Sequence, residues 1–570
     1  MQKTSELARS PLFQVQSHRL PWSDRVKLSY DRARAVVSVY NLSADDVLNV
    51  SSKYWEFHSD PILSMDGAMA TLLTIHFNLC TGTLAMFSKG RKDLVPIIED
   101  LLSYRLSGQF CLTELGHGLD VINMETTATQ LSTGEFELET PVERAAKFMP
   151  PTSPCGIPCV AVVFARLLVN GEDRGPRPFL VYLHDGKSMN AGITVRRLTP
   201  RGGACPVEHC ITYFHRVHLP RSALLGDADQ SNDVRKSFFT NISRVISGTL
   251  SMGAWALIDM KVATFIAGRY SIRRTVIDAS TKLPRPIASF STQYIPILTA
   301  VSQTAVMQAF AEDSHSRFVN ESDATMKHFI AAVFKTTMMR HSREILVGLA
   351  DRCGAQGLFE VNQISVLMMD IRGAAIAEGD TLGISIRFAV ELLLDRIILP
   401  TSTNPESLLA RHEQSLLLHL KSMLQDSGGH RDAAIEYKLL PQCRSVIESV
   451  GYRLAYDAAV ARGVDRLLID LYVASVMSDD AAWYAEHGKI SGFDQKTLLV
   501  DAARVLVPRM DDLLSDMNLE SYVTAPIVSD ERWSSFTDSL HRYGGPEDTF
   551  HFAEKDSFSN NHAHLVPSRL

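Results

Sequence analysis

Over the first hundred residues, apolar positions recur every three or four places. "DGAMATLLTIHFNLCTGTLAMF" and "DLVPIIEDLLSYRL" keep this spacing without long β-branched alternation, which predicts helices to about residue 105. From about 108 to 225 the texture changes to short segments: "GEFELET", "CVAVVFARLLV", "RPFLVYLH", "GITVRRLT" and "CITYFHRVHLP". Gly, Pro, Asp and Asn separate them, a pattern that predicts an all-β domain of short strands. Helical spacing returns from about 232 to 400. There "FFTNISRVISGTLSMGAWALIDMKVATFIAGRYS" predicts one helix of about nine turns, apolar enough to lie inside a bundle. "PTSTNPESL" at 400–408 breaks the spacing with two prolines and reads as a linker. Residues 409–540 carry a second helical set, and the last thirty are polar and loop-like.

The expected architecture is therefore an α+β multidomain chain. It has an N-terminal helical domain (1–107), a central β-barrel-like domain (108–226), a helical bundle (227–400) and a second C-terminal helical domain (401–570). A chain of 570 residues is too long for one core. With 45% apolar and 21% charged residues it has the composition of a protein that buries several.

Charge and cysteine usage narrow the function classes. The formal net charge is −7, and the basic pairs Arg196-Arg197 and Arg273-Arg274 are isolated, so no positive stripe exists for nucleic acid. Eight scattered cysteines suit a reducing compartment. The pairs Cys155/Cys159 and Cys205/Cys210 lack the spacing of a zinc knuckle and read as buried strand cysteines, so no metal is expected. The N-terminal stretch has no apolar h-region, and the run "IPCVAVVFARLLV" is too short to span a bilayer and contains Arg166. The final tripeptide, Ser568-Arg569-Leu570, has the chemistry of an SKL-type peroxisomal address, read by an import receptor that clasps the free carboxylate.

One stretch, "TELGHGLDVINMETTATQL" at 113–131, places a flexible Gly-His-Gly turn beside a strand dense in hydroxyls. By itself it reads as an ordinary β-turn. With its flanks it closely resembles the signature of the acyl-CoA oxidase family, relatives of the flavin-dependent acyl-CoA dehydrogenases. "GITVRRLTPRGG" and "FHRVHLPRSALLG" match that family's later strands. "ISRVISGTLSMGAWALIDMKVATFIAGRYSIRR" matches its long helix and "FSTQYIPILTA" the next. "CGAQG", "AEGDTLGISIRF" and "HRYGGPEDTFHF" follow in order.

The resemblance implies an FAD site shared between two subunits of a homodimer. Thr113 would sit over the flavin, with Gly116 and Gly118 giving the chain room to turn beside it. Arg274, four residues after Tyr270, would bind the pyrophosphate of the neighbouring subunit's FAD. Gly354 and Gly357 of "CGAQG" would let the backbone approach the cofactor across the interface, and Gln293 would lie near the adenine half. Glu378 matches the family's catalytic base, removing the α-proton of an acyl-CoA while its own backbone N–H helps hold the thioester oxygen. Without the resemblance, Arg274 reads as a solvated helix-end cation, and Glu378 as a carboxylate in a turn before an N-cap.

Departures from the family pattern are local. Phe148-Met149-Pro150-Pro151-Thr152 stands for Trp-Trp-Pro-Gly-Gly. Phe148 thus replaces an aromatic wall of the flavin, and Pro151 a glycine at its reactive edge, without an N–H. Ala377 replaces an aromatic, Ala355-Gln356 a Gly-His, and Thr275-Val276 follow the arginine. The expected activity is oxidation of an acyl-CoA, on a specialised acyl chain, to the trans-2-enoyl-CoA, with O2 reduced to H2O2. That is peroxisomal fatty-acid chemistry of the β-oxidation type. Two alternatives stand beside it: a dehydrogenase of the same fold with another electron acceptor, and a degenerate homologue acting as a partner protein.

Overall fold

The computed structural model describes residues 3–425 and 429–544. The N-terminal helices, Ser5–Arg9 to Leu94–Leu102, include Trp22–Tyr40, Gly67–Thr74 and Gly82–Met86. Ile75–Thr81 between the last two is a π-helical turn, a local widening often found at functional sites. Gly67–Met86 and the helix Arg244–Arg273 are long and apolar enough to cross a membrane, but both are buried inside the protein.

Nine strands follow: β1 Ser107–Cys111, β2 Thr127–Gln130, β3 Phe136–Glu139, β4 Lys147–Phe148, β5 Cys159–Val169, β6 Glu172–His184, β7 Ile193–Arg197, β8 Cys210–Phe214 and β9 Val217–Leu219. They form a six-stranded sheet, in which β5 pairs with β1, β2 and β6, and a three-stranded sheet β4-β8-β7. β5 explains the apolar run from Cys159 to Ala165, because successive side chains point to opposite faces and both faces are covered. Cys159, Ala161, Val163, Ala165 and Leu167 enter one core. Val160, Val162 and Phe164 enter another, with Leu79, Leu101 and Phe238.

The predicted nine-turn helix is two helices, Val234–Asn241 and Arg244–Arg273, separated at Ile242-Ser243. The second is buried on nearly every side and forms the axis of a bundle with Ser291–Asn320, Ala324–Arg352, Ile364–Ile376 and Thr381–Leu393. A hairpin that the pattern does not predict, β10 Thr275–Ile277 with β11 Pro284–Pro286, follows it. Further helices, among them Leu408–Gln425, Ala433–Ala461 and Arg466–Val476, pack on this bundle. The cysteine reading holds for Cys159 and Cys210, both buried on strands. Cys155 and Cys205 are loop residues, only partly buried. Residues 568–570 lie outside the described residues.

Candidate functional site

The "TELGHGL" loop is anchored by a residue that its motif does not highlight. The Glu114 carboxylate is fully enclosed and pairs with Lys147 Nζ at 2.9 Å, itself fully enclosed. It also accepts from Glu125 N at 2.7 Å, Thr126 N at 2.9 Å and Thr126 Oγ1 at 2.6 Å. The hydroxyl-rich strand therefore serves to hold the loop. Burial alone would raise Glu114, but the Lys147 charge and these three donors outweigh it and hold the carboxyl below its ordinary value.

On this anchor, Thr113 and β4 lie side by side: Thr113 O accepts from Phe148 N at 2.9 Å. The half-buried Thr113 side chain makes no hydrogen bond among the described residues. Gly116 donates to Arg144 O at 2.8 Å, and a Cβ on it would meet Arg144 Cβ at 3.0 Å. Its smallness thus serves the close approach of the neighbouring turn Glu143–Ala145, whereas Gly118 faces open space. The departing segment, 148–152, is knitted into the β8 sheet. Met149 O accepts from His209 Nδ1 at 2.6 Å, and Pro150 O from Cys210 N at 3.1 Å. Thr152 Oγ1 meets Thr212 Oγ1 at 2.7 Å. Pro151 is buried between them.

Glu378 stands in the turn between Ile364–Ile376 and Thr381–Leu393, at φ 52° and followed by Gly379 at φ 96°. Asp380 caps the next helix through Leu382 N and Gly383 N. The carboxyl is pressed against the axial helix at Gly248, where any Cβ would overlap Oε2. Oε2 accepts from Asn78 Nδ2 at 2.8 Å. Asn78 lies on the π turn, and its Oδ1 accepts from the buried Arg244 Nη2 at 2.9 Å, which sets the amide's orientation. Burial pushes Glu378 up to about 8, partly offset by the Lys335 charge, the Asn78 bond and Arg244.

The backbone of this turn is held from outside. Lys335 Nζ, fully buried on Ala324–Arg352, donates to Ala377 O at 2.5 Å and to Gly379 O at 2.7 Å. Thr249 Oγ1 on the axial helix donates to Glu378 O at 2.6 Å. Every carbonyl from 377 to 379 is captured, while Glu378 N has no acceptor among the described residues. Burial lowers Lys335 to about 7, with Glu378 acting in the opposite sense.

The remaining expected residues lie at the far end of the axial helix. Gly248 and Arg274 are about 26 residues apart, hence about 39 Å along the axis. Arg274 is exposed, and its side chain has no partner among the described residues. Gln293 Nε2 donates to Ser271 Oγ and Arg352 O, both at 2.8 Å. Gly354, at φ 58°, faces open space. A Cβ on Gly357 would overlap Ala350 O, so this glycine is needed for helix packing. The structure thus brings Thr113 and Phe148 together and sets Arg274, Gln293, Gly354 and Gly357 apart from Glu378.

Asn78, Gly248, Thr249 and Lys335 escape the motif reading. The signal for two of them is a polar residue within an apolar helical run, "LTIHFNLCTGTL" for Asn78 and "HFIAAVFKTTMM" for Lys335.

The architecture is that of the acyl-CoA oxidases. The structure of acyl-CoA oxidase 1 from Yarrowia lipolytica superposes with a TM-score of 0.81 at 16% identity, covering 99% of this chain and 92% of that one. Acyl-CoA oxidase-1 of Caenorhabditis elegans, solved with FAD and ATP, gives 0.77 at 16% identity, covering 99% and 93%. Residues 244–393 match the family model described as acyl-CoA oxidase, C-alpha1 domain. Human peroxisomal acyl-coenzyme A oxidase 3 is 26% identical over 344 residues, 55% of this chain and 49% of that protein. Acyl-coenzyme A oxidase 3, peroxisomal, of Arabidopsis thaliana is 24% identical over 330 residues, again 55% and 49%. The chain spans about half the length of these curated relatives. It therefore carries the acyl-CoA oxidase C-alpha1 domain on the acyl-CoA oxidase fold, and the family resemblance of its motifs is borne out.

Proposed function

We propose that this chain is an FAD-dependent acyl-CoA oxidase that converts an acyl-CoA to the trans-2-enoyl-CoA, with O2 as electron acceptor and H2O2 as product. The observation that carries the reading is the Glu378 turn, a buried carboxyl beside a backbone N–H that has no acceptor among the described residues. An α-C–H next to a thioester is a weak acid. Its removal calls for a base whose proton affinity is raised, together with a donor at the carbonyl oxygen where charge develops. Glu378 supplies the base at its carboxylate and the donor at its amide. Asn78 and Gly248 fix where the carboxylate stands.

The residues fit FAD at both ends, with one loss. Among the described residues the Thr113 hydroxyl and the Arg274 guanidinium have no partner, Gly118 and Gly354 face open space, and Arg274 would offer its fork to a pyrophosphate. Phe148 would wall the flavin, while Pro151 removes one backbone donor. When bound, FAD supplies acceptance of the β-hydride and electron delivery to O2. The separation of Arg274 from Glu378 favours a homodimer in which each subunit completes the other's cofactor site. The Caenorhabditis elegans neighbour named with FAD supports the cofactor. The relatives named peroxisomal support that compartment.

Purified protein is expected to be yellow, to bleach under a substrate acyl-CoA and to form peroxide without an added acceptor. Glu378→Gln should keep the flavin and lose about 10³-fold in turnover. Bleaching without peroxide would establish the dehydrogenase alternative. A colourless protein that cannot be reconstituted would establish the degenerate one, which Pro151 favours.

A further inference from the structure

We infer that Lys335, assisted by Thr249, is a positioning residue that aims the Glu378 backbone N–H at the substrate's thioester carbonyl. This rests on the reading of Glu378 as the base. The geometry is specific. The 377–378 peptide is trans, since the only cis bonds among the described residues are Phe148-Met149 and Cys205-Pro206. In a planar trans peptide the C=O and the following N–H point in opposite directions. Lys335 draws Ala377 O toward the interior of Ala324–Arg352 at 2.5 Å, so the N–H of Glu378 must point away from that helix.

The same ammonium holds Gly379 O, and Thr249 holds the carbonyl between them. The bonds to Ala377 O and Glu378 O fix the two peptide planes that flank the Glu378 Cα, and the bond to Gly379 O fixes the next one. They also retain a non-glycine residue at positive φ, a conformation that persists where its surroundings over-determine it. Lys335 does not reach the Glu378 carboxylate: its two bonds go to carbonyls, and no ion pair joins the two side chains. A fully buried lysine that hydrogen-bonds only to two carbonyls costs desolvation, so its role lies in the direction it imposes.

The test uses the E378Q protein, loaded with flavin and with a saturated acyl-CoA carrying ¹³C at the thioester carbonyl, and reads the carbonyl stretch by isotope-edited infrared spectroscopy. The band should lie below that of the free thioester in E378Q and return toward the free position in E378Q/K335M. In the otherwise unchanged enzyme, Lys335→Met should lower kcat about 10²-fold, the scale of losing one oxyanion donor, with KM within about threefold. A lowered band that Lys335→Met leaves in place overturns the inference while sparing the reading of the base. A band at the free position in E378Q itself overturns both. If Lys335→Met does not fold, Thr249→Val releases the middle carbonyl and should broaden and raise the band. A folded T249V protein with an unchanged band overturns the clamp.

Discussion

Two buried lysines make the most instructive comparison in this molecule. Lys147 and Lys335 are both fully enclosed, and each stabilises a loop that contains a glutamate. Lys147 pairs directly with Glu114, whose carboxylate has three further donors and is held below its ordinary value. Lys335 makes no hydrogen bond to the Glu378 side chain, which feels only its charge, and takes the carbonyls on either side of it, leaving the carboxyl with one bond, to Asn78, and a value raised to about 8. A saturated carboxylate is structural because nothing is left for it to do. A carboxyl with little compensation keeps its affinity for a proton, which is what the proposed role of a base requires.

The largest expected effect comes from breaking the structural pair. Lys147→Met strands a buried charge on Glu114 and should cost about 3–5 kcal/mol in denaturant unfolding. Lys147→Met with Glu114→Gln should recover part of that loss. At the other site, Gly248→Ala drives the carboxyl away from Asn78, and the flexible end of Glu378 gives way before the helices do. Turnover should fall about 10²-fold with little change in Tm, the scale of a misplacement of about 1 Å.

The pH dependences of the two sites should have opposite slopes. Glu378 binds its proton more tightly folded than unfolded, from its ordinary 4.5 up to about 8. The unfolded chain ionises first, so this group lowers stability as pH rises through that window. E378Q should gain stability relative to wild type from about pH 4.5 to about 8. Glu114 behaves conversely: its contribution is present above 4.5 and lost as pH falls through its depressed folded value. E114Q should therefore differ most from wild type near neutrality and least in acid. In its proposed role as the base, Glu378 would work when ionised, so kcat/KM should climb with pH and level off above about 8. The smallest effect belongs to Thr126→Val, which removes one of four groups on Glu114 and should cost about 1–2 kcal/mol in chemical denaturation.

Much of the frame was legible in the residues. The apolar run at 159–165 reads as a buried strand, and it lies in one, covered on both faces. The helical spacing beyond 244 reads as a bundle axis, although the break at Ile242-Ser243 was hidden because apolar periodicity continues across it. At the site, the resemblance singles out Thr113, Phe148 and Glu378. It says nothing of Glu114, Thr126 or Lys147, whose importance arises only when three separate segments meet.

By itself the sequence determined the order of elements, and it determined the turn that carries Glu378, since Glu-Gly-Asp-Thr supplies a glycine at positive φ followed by an N-cap. The tertiary structure alone decided what that glutamate is. Asn78 approaches from 300 positions away, Gly248 and Thr249 from the axial helix, and Lys335 from the one beside it. A carboxyl's proton affinity depends on the water excluded and the charges brought near, and these come from segments far apart along the chain. Local pattern could place Glu378 in a turn, but only the packing of three distant elements could bury its carboxyl and leave its amide without an acceptor among the described residues.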